Sequence, residues 1–194
     1  ILTRFGALPR LRLSSVDGAE VDPALFELIA SEARMMPHLH LSLQSGDDMI
    51  LKRMKRRHSR DDAIGLVERL RARRSDLAVG ADVIAGFPTE TEAMHQANRT
   101  ILEAIGVVHG HVFPYSPRPD TPAARMPQVP APIARARAAE LRQDIAAVRS
   151  RWLHHLVGTE LSVLAERGGT GHSAQFAPVR LPAHVAAGTL VTMT

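Results

Sequence analysis

The sequence contains no cysteine. That excludes disulfides, a thiol nucleophile, a cysteine-based zinc site and a thiolate-held iron–sulfur cluster within these residues. Also missing is any apolar run approaching the roughly 20 residues that cross a bilayer, and no charged-then-apolar leader opens the chain. A soluble, cytoplasmic protein with no membrane partner is expected. There is no Gly-x-Ser-x-Gly elbow, no Walker-type loop and no His-Glu-x-x-His pair, so the usual hydrolase and nucleotide-triphosphatase readings have no support. The chain begins at Ile1 rather than Met, as a processed or cut piece would.

What is present can build a core. The chain has 194 residues, 45% of them hydrophobic, which suits one domain plus a small appendage. A net charge of +4 allows a polyanionic partner without demanding one. Arg10–Ser14 and His38–Leu43 alternate polar with apolar residues at strand period, and residues 78–84 and 107–113 read as two less regular strands. Helices are expected between them: from Ala24 to Arg34 behind the Asp22-Pro23 start, after Asp47-Asp48, after Ser59 or Asp61, and from Thr89-Glu90-Thr91-Glu92. Strand and helix alternating in this way indicate right-handed βα units and a parallel sheet. Four such units are too few for a closed eight-stranded barrel. Seven prolines from Pro114 to Pro132 predict an extended loop without regular helix. A long Ala/Arg-rich helix over 133–156 follows, and then a small all-β module punctuated by Gly158, Gly168-Gly169, Gly171 and Gly188.

In parallel βα folds the chemistry sits at the carboxyl ends of the strands. Here those ends read Ser14-Ser15, residues 42–46, residues 82–88 and Pro114-Tyr115-Ser116. Such polar, glycine-bearing ends suit a ribose, an amino group and a carboxylate, and they equally suit turn and cap chemistry. The cationic run Lys52, Arg53, Lys55, Arg56, Arg57 and Arg60 would spread around a helix, leaving one Arg for specific work on a carboxylate or phosphate. His38 and His40 point one way from a strand, as do His109 and His111, which admits a metal-dependent hydrolase. The acidic pairs Asp47-Asp48 and Glu90/Glu92 are explained by helix capping.

Residues 37–47 with Ile50–Arg56 closely resemble the fourth-strand region of radical S-adenosylmethionine methylthiotransferases. Residues 82–91 look like that family's fifth-strand motif, residues 111–118 like the sixth, and Arg12–Ser15 like the third. Four motifs in order cover most of residues 10–125. The Leu-Ser-Leu-Gln-Ser-Gly-Asp wording is closest to the branch that methylthiolates threonylcarbamoyl-adenosine beside the tRNA anticodon. The resemblance implies an α/β fold: a partial (βα) barrel of TIM type over 1–125, a proline-rich connector and helix over 126–156, and a TRAM-like RNA-binding β-barrel over 157–194.

It also implies roles. Gln44 would bond S-adenosylmethionine near its methionine or ribose portion, Arg56 would pair with its carboxylate, and Asp82 would accept from the ribose hydroxyls. Gly86 would let backbone approach the adenine, Ser15 would be a further polar ligand, and Tyr115 and Arg118 would face the substrate. Family enzymes use two [4Fe–4S] clusters held by cysteines, so both cluster loops would lie upstream of Ile1. The expected partners are tRNA and the N-terminal portion of the same protein, and the isolated chain is expected to be inactive. Asp120 stands where the family usually has Gly. The other reading is a non-catalytic RNA-binding protein that keeps the barrel half and the β-module.

Overall fold

A computed structural model describes residues 6–194. Four parallel strands form one sheet in the order β1 (Leu11–Val16), β2 (Met35–Gln44), β3 (Ala78–Ala85) and β4 (Val107–Pro114). Local capping chemistry starts a helix soon after β1, β2 and β3 end. Asp22 accepts from the Leu25 N–H at 2.7 Å and opens α1 (Pro23–Ser31). Asp47 does the same for α2 (Asp48–Arg53), accepting from Ile50. Ser59 and Asp62 form a reciprocal capping box at α3 (Arg60–Arg73), and Thr91 caps α4 (Glu92–Ala104). Helix α1 ends at Ser31, short of the expected Arg34, because β2 begins at Met35.

Period-two alternation divides the sheet into two faces. Leu39, Leu41 and Leu43 of β2 pack with Val79, Ala81, Val83 and Ala85 of β3 against Leu66, Leu70, Ile101, Leu141 and Ile145 from the helices. The opposite face carries His38, His40, Asp82, Ile84, His109, His111 and Phe113. Its imidazole rings meet across strands, with His38 and His109 centroids 5.3 Å apart and those of His40 and His111 5.0 Å apart. The observed sheet is open and four-stranded, in line with the expected βα rhythm.

The proline-rich stretch is extended apart from a short turn at Ala123–Arg125. The expectation of no helix as far as Pro132 is corrected. Helix α5 (Ala131–Leu156) already includes Pro132 in its first turn, where a missing N–H leaves no hydrogen bond unmade. Helix α5 packs along β4, and Arg142 donates to the Val112 carbonyl at 2.6 Å. The remaining strands, β5 (Leu161–Glu166), β6 (Thr170–Ser173), β7 (Pro178–Arg180) and β8 (Leu190–Met193), form an antiparallel sheet in the order β7-β6-β5-β8. Its own small core centres on Val163, Ala165 and Leu181.

This second sheet is bound to the first at the amino-terminal ends of the parallel strands. Arg10 donates to the carbonyl and hydroxyl of Ser162 at 2.9 and 2.8 Å, Arg12 to the Ala174 carbonyl at 3.2 Å, and Gln175 to Asp76 at 2.9 Å. The Phe176 ring lies 5.2 Å from both His38 and His109, and Arg12 sits 4.7 Å above it. Among the described residues no helix is long and apolar enough to cross a membrane.

Candidate functional site

At the carboxyl ends of the strands the polar face opens into two adjoining clefts of about 540 and 440 Å³. Gln44 and Ile84 line both. Phe113, Tyr115, Ser116 and Arg118 continue the first, and Arg53, Lys55, Arg56 and Phe87 continue the second. An apolar wall beside an amide and several guanidinium or ammonium groups matches a nucleoside carrying a carboxylate.

Local backbone places these groups. Gln44 ends β2 in the left-handed region at φ 65°, which turns the chain away just past its side chain. Lys55 also has a positive φ of 57° and follows the end of α2. Because α2 lasts only six residues, Arg53 and Lys55 fall at its carboxyl end instead of spreading around a longer surface. Arg53 donates to the Thr89 hydroxyl at 2.6 Å, and Arg56 lies 3.3 Å from the Asp17 carboxylate. Burial opposes ionisation of Asp17, yet the Ala19 amide, His58 and Arg56 hold its pKa below the ordinary value. The Tyr115 N–H donates to the Ala85 carbonyl at 2.8 Å, and its ring meets Phe87 edge-on with centroids 5.2 Å apart.

A buried polar network supports the two loops beside the clefts. Asn98 accepts from the Ser45 hydroxyl at 2.9 Å and from the Gly46 N–H at 2.6 Å. Its amide donates to Glu90, which also accepts from the Gly86 N–H at 3.0 Å and from Arg137 at 3.0 Å. Burial pushes the Glu90 carboxyl upward, opposed by the Gly86 amide and Arg137. The expectation that Glu90 is a helix-start acid is therefore corrected. Thr91 caps α4, and Glu90 forms a buried ion pair with α5.

Of the residues singled out from sequence, Gln44, Arg56, Tyr115 and Arg118 come together at the clefts. Ser15, at φ 55° near the end of β1, is exposed and lines neither. Gly86 adopts φ 72°, and a Cβ there would overlap Ala134 of α5, so glycine serves the close approach of that helix. Asp82 lies below the clefts, where its Oδ1 is 3.0 Å from both His40 Nε2 and His111 Nδ1. The four histidines of the metal reading do not form one site. His40 and His111 gather around Asp82, while His38 and His109 pack under Phe176, with Trp152 5.5 Å from His109. Sequence reasoning missed Ile84 and Phe113, although both continue the alternation that carries Asp82 and His111.

The radical SAM superfamily profile matches residues 10–100. Along 98% of its length the chain is 49% identical to a threonylcarbamoyladenosine tRNA methylthiotransferase of Rickettsia prowazekii, covering 45% of that protein. It is 39% identical to a tRNA-2-methylthio-N(6)-dimethylallyladenosine synthase of Cereibacter sphaeroides over 87% of this chain and 38% of the relative. A threonylcarbamoyladenosine tRNA methylthiotransferase of Thermotoga maritima is 37% identical over 81% of the chain and 36% of its own length. The chain thus spans less than half the length of these curated relatives.

Proposed function

We propose, on the premise that this chain belongs to the radical S-adenosylmethionine methylthiotransferase family, that it supplies part of the cofactor and substrate surface of an enzyme that methylthiolates threonylcarbamoyl-adenosine in tRNA. The observation that carries this reading is the cation-lined cleft at the strand ends, in a chain 49% identical to one such relative and 39% identical to a relative named for dimethylallyladenosine.

The residues present fit S-adenosylmethionine. Ile84, Phe113 and Tyr115 offer an apolar wall for a base, and Gln44 offers an amide donor and acceptor. Arg56, already positioned by Asp17, pairs with a carboxylate. When bound, the cofactor supplies the methyl group and the means of activating the substrate. Asp82 would take the ribose hydroxyls through its other oxygen, Oδ2, because His40 and His111 both meet Oδ1. Gly86 contributes its carbonyl and its turn, since Glu90 holds its N–H. Ser15 is an outlying polar contact, and Tyr115 and Arg118 face the tRNA. The chain does not fit an iron–sulfur cluster, because no thiolate exists to ligate one. Both clusters belong, in this reading, to the N-terminal portion of the same protein, and the chain alone is inactive.

In this reading the segment expected over 1–125, of which residues 1–5 lie outside the described residues, is the carboxy-terminal part of the radical SAM barrel, residues 126–156 are a connector and helix, and residues 157–194 are a TRAM-like RNA-binding module in a cytoplasmic enzyme. A hybrid tests the reading: the aligned region of the Rickettsia prowazekii relative is replaced by this chain. Nucleoside mass spectrometry of tRNA from cells relying on the hybrid is expected to show methylthiolated threonylcarbamoyl-adenosine, and Gln44→Ala in the hybrid is expected to abolish it. A folded, cluster-loaded hybrid that modifies only dimethylallyl-adenosine, or no adenosine, overturns the assignment.

A further inference from the structure

Halfway down the polar face, three strands bring two imidazoles and a carboxylate to one point. His40 stands opposite Gly80 in the register of β2 and β3, and Asp82 stands opposite His111 in that of β3 and β4. The absence of a side chain at Gly80 lets the His40 ring lean over β3, because a Cβ there would overlap that ring. His40 Nε2 and His111 Nδ1 each lie 3.0 Å from the same oxygen, Asp82 Oδ1, and the ligand atoms of the three residues all fall within 4.8 Å of one another.

We propose that His40, Asp82 and His111 form a binding site for a divalent transition-metal ion of the zinc class. Two donors on one zinc ion, each about 2.0–2.2 Å from it at tetrahedral angles, lie roughly 3.3 Å apart. The observed 3.0 Å spacings are within a few tenths of an ångström of that arrangement and need only a small outward shift. Two neutral imidazoles and one carboxylate suit zinc, iron, cobalt or nickel and disfavour magnesium and calcium, which take mostly oxygen.

The three ligands differ in exposure in a useful way. His40 is held against β3 with only 8% of its side chain exposed, whereas 68% of the His111 side chain is open to solvent. The fixed side of the site is thus built by the sheet, and a fourth coordination position faces the open polar side, where water or a ligand completes the shell. Gln44 and Ile84 at the strand ends are four and two residues further along their strands, so the ion sits roughly 7–13 Å below the cleft floor. The ion would clamp β2, β3 and β4 together, whatever the chain acts on.

Isothermal titration of the metal-free chain with zinc chloride, paired with visible absorption of the cobalt(II)-loaded chain, tests this. One equivalent is expected to bind saturably, with the ligand-field bands of a low-coordinate nitrogen/oxygen site. His111→Gln, at an exposed position, and Asp82→Asn are each expected to weaken binding at least about 10-fold. His154→Gln/His155→Gln, on the α5 surface, is expected to bind like the unaltered chain. Zinc should raise the thermal midpoint of the unaltered chain and not that of His111→Gln, whose metal-free midpoint should match the parent. Absence of saturable binding in the unaltered chain overturns the proposal, as does undiminished affinity in His111→Gln; either result leaves a purely hydrogen-bonded triad.

Discussion

At the amino-terminal ends of β2 and β4 the polar face of the sheet is covered by Phe176, whereas at the carboxyl ends it opens into the cleft between Gln44 and Tyr115. The covered end carries His38 and His109, and the open end carries Arg53, Lys55 and Arg56. Burial is the first cause that lowers His38 to about 3, with the Arg12 charge second. Burial likewise lowers His109 to about 4, followed by Arg149. The histidines are therefore neutral packing elements that carry the second sheet. The cations at the other end keep water and have few acids to answer them, which is what an anion-binding surface requires.

The largest expected effect comes from the support of the open end. Arg137 donates to both the carbonyl and the carboxylate of Glu90, whose side chain is fully buried. Arg137→Met leaves that carboxylate without its cation. Breaking a buried pair on one side costs about 3–5 kcal/mol, read as a lower urea midpoint. Glu90 also holds the Gly86 turn and, through Asn98, the Ser45-Gly46 turn, so both cleft walls should loosen together. Amide exchange confined to one of these turns would break the link between them.

The covered end should yield a smaller loss and a different pH signature. Phe176→Ala removes a half-buried ring and is expected to cost about 2 kcal/mol, below the range for a fully buried aromatic. His38 and His109 have folded pKa values of about 3 and about 4, below the ordinary 6.5. The unfolded chain then binds protons below pH 6.5 that the folded chain refuses. Their stabilising contribution is complete above that pH and is lost as pH falls toward 4 and 3. The loss approaches about 1.4 kcal/mol per pH unit for each histidine. Uncovering the rings with Phe176→Ala should raise both pKa values and flatten the urea midpoint between pH 6 and 4.5; an unchanged slope sinks the account of the covered end.

The strands and caps were legible in the sequence because their signals are local. Asp22, Asp47 and Ser59 cap the helices they were expected to open, and the alternation in residues 38–43 placed β2. The cleft was half legible. Gln44, Arg56, Tyr115 and Arg118 line it, but Arg53 and Lys55 were diluted in a run expected to spread around a helix, whereas α2 stops at Arg53. Glu90 was misread because its partner, Arg137, arrives from α5 far along the chain. The two His-x-His pairs carry the same period and diverge in their partners: His40 and His111 meet Asp82, whereas His38 and His109 meet Phe176 from the second sheet, which no local pattern in β2 or β4 announces.

The smallest stability effect should be the most telling about the open end. Lys55 occupies the left-handed region, φ 57°, just past the end of α2, where glycine is the residue that incurs no steric cost. A lysine there is strained, and it stands at the cleft. Lys55→Gly removes the Cβ clash but increases the freedom of the unfolded chain. The two effects oppose each other, and the net change is expected to be a gain of no more than about 1 kcal/mol. The same change deletes one cation from a cleft wall that holds Arg53 and Arg56 as well. Equilibrium dialysis against S-adenosylhomocysteine, which carries the carboxylate without the reactive methyl group, should then show weaker binding beside equal or higher stability. If affinity is unchanged, the lysine is strained for some other reason, and the open end loses one of the charges that distinguish it from the covered one.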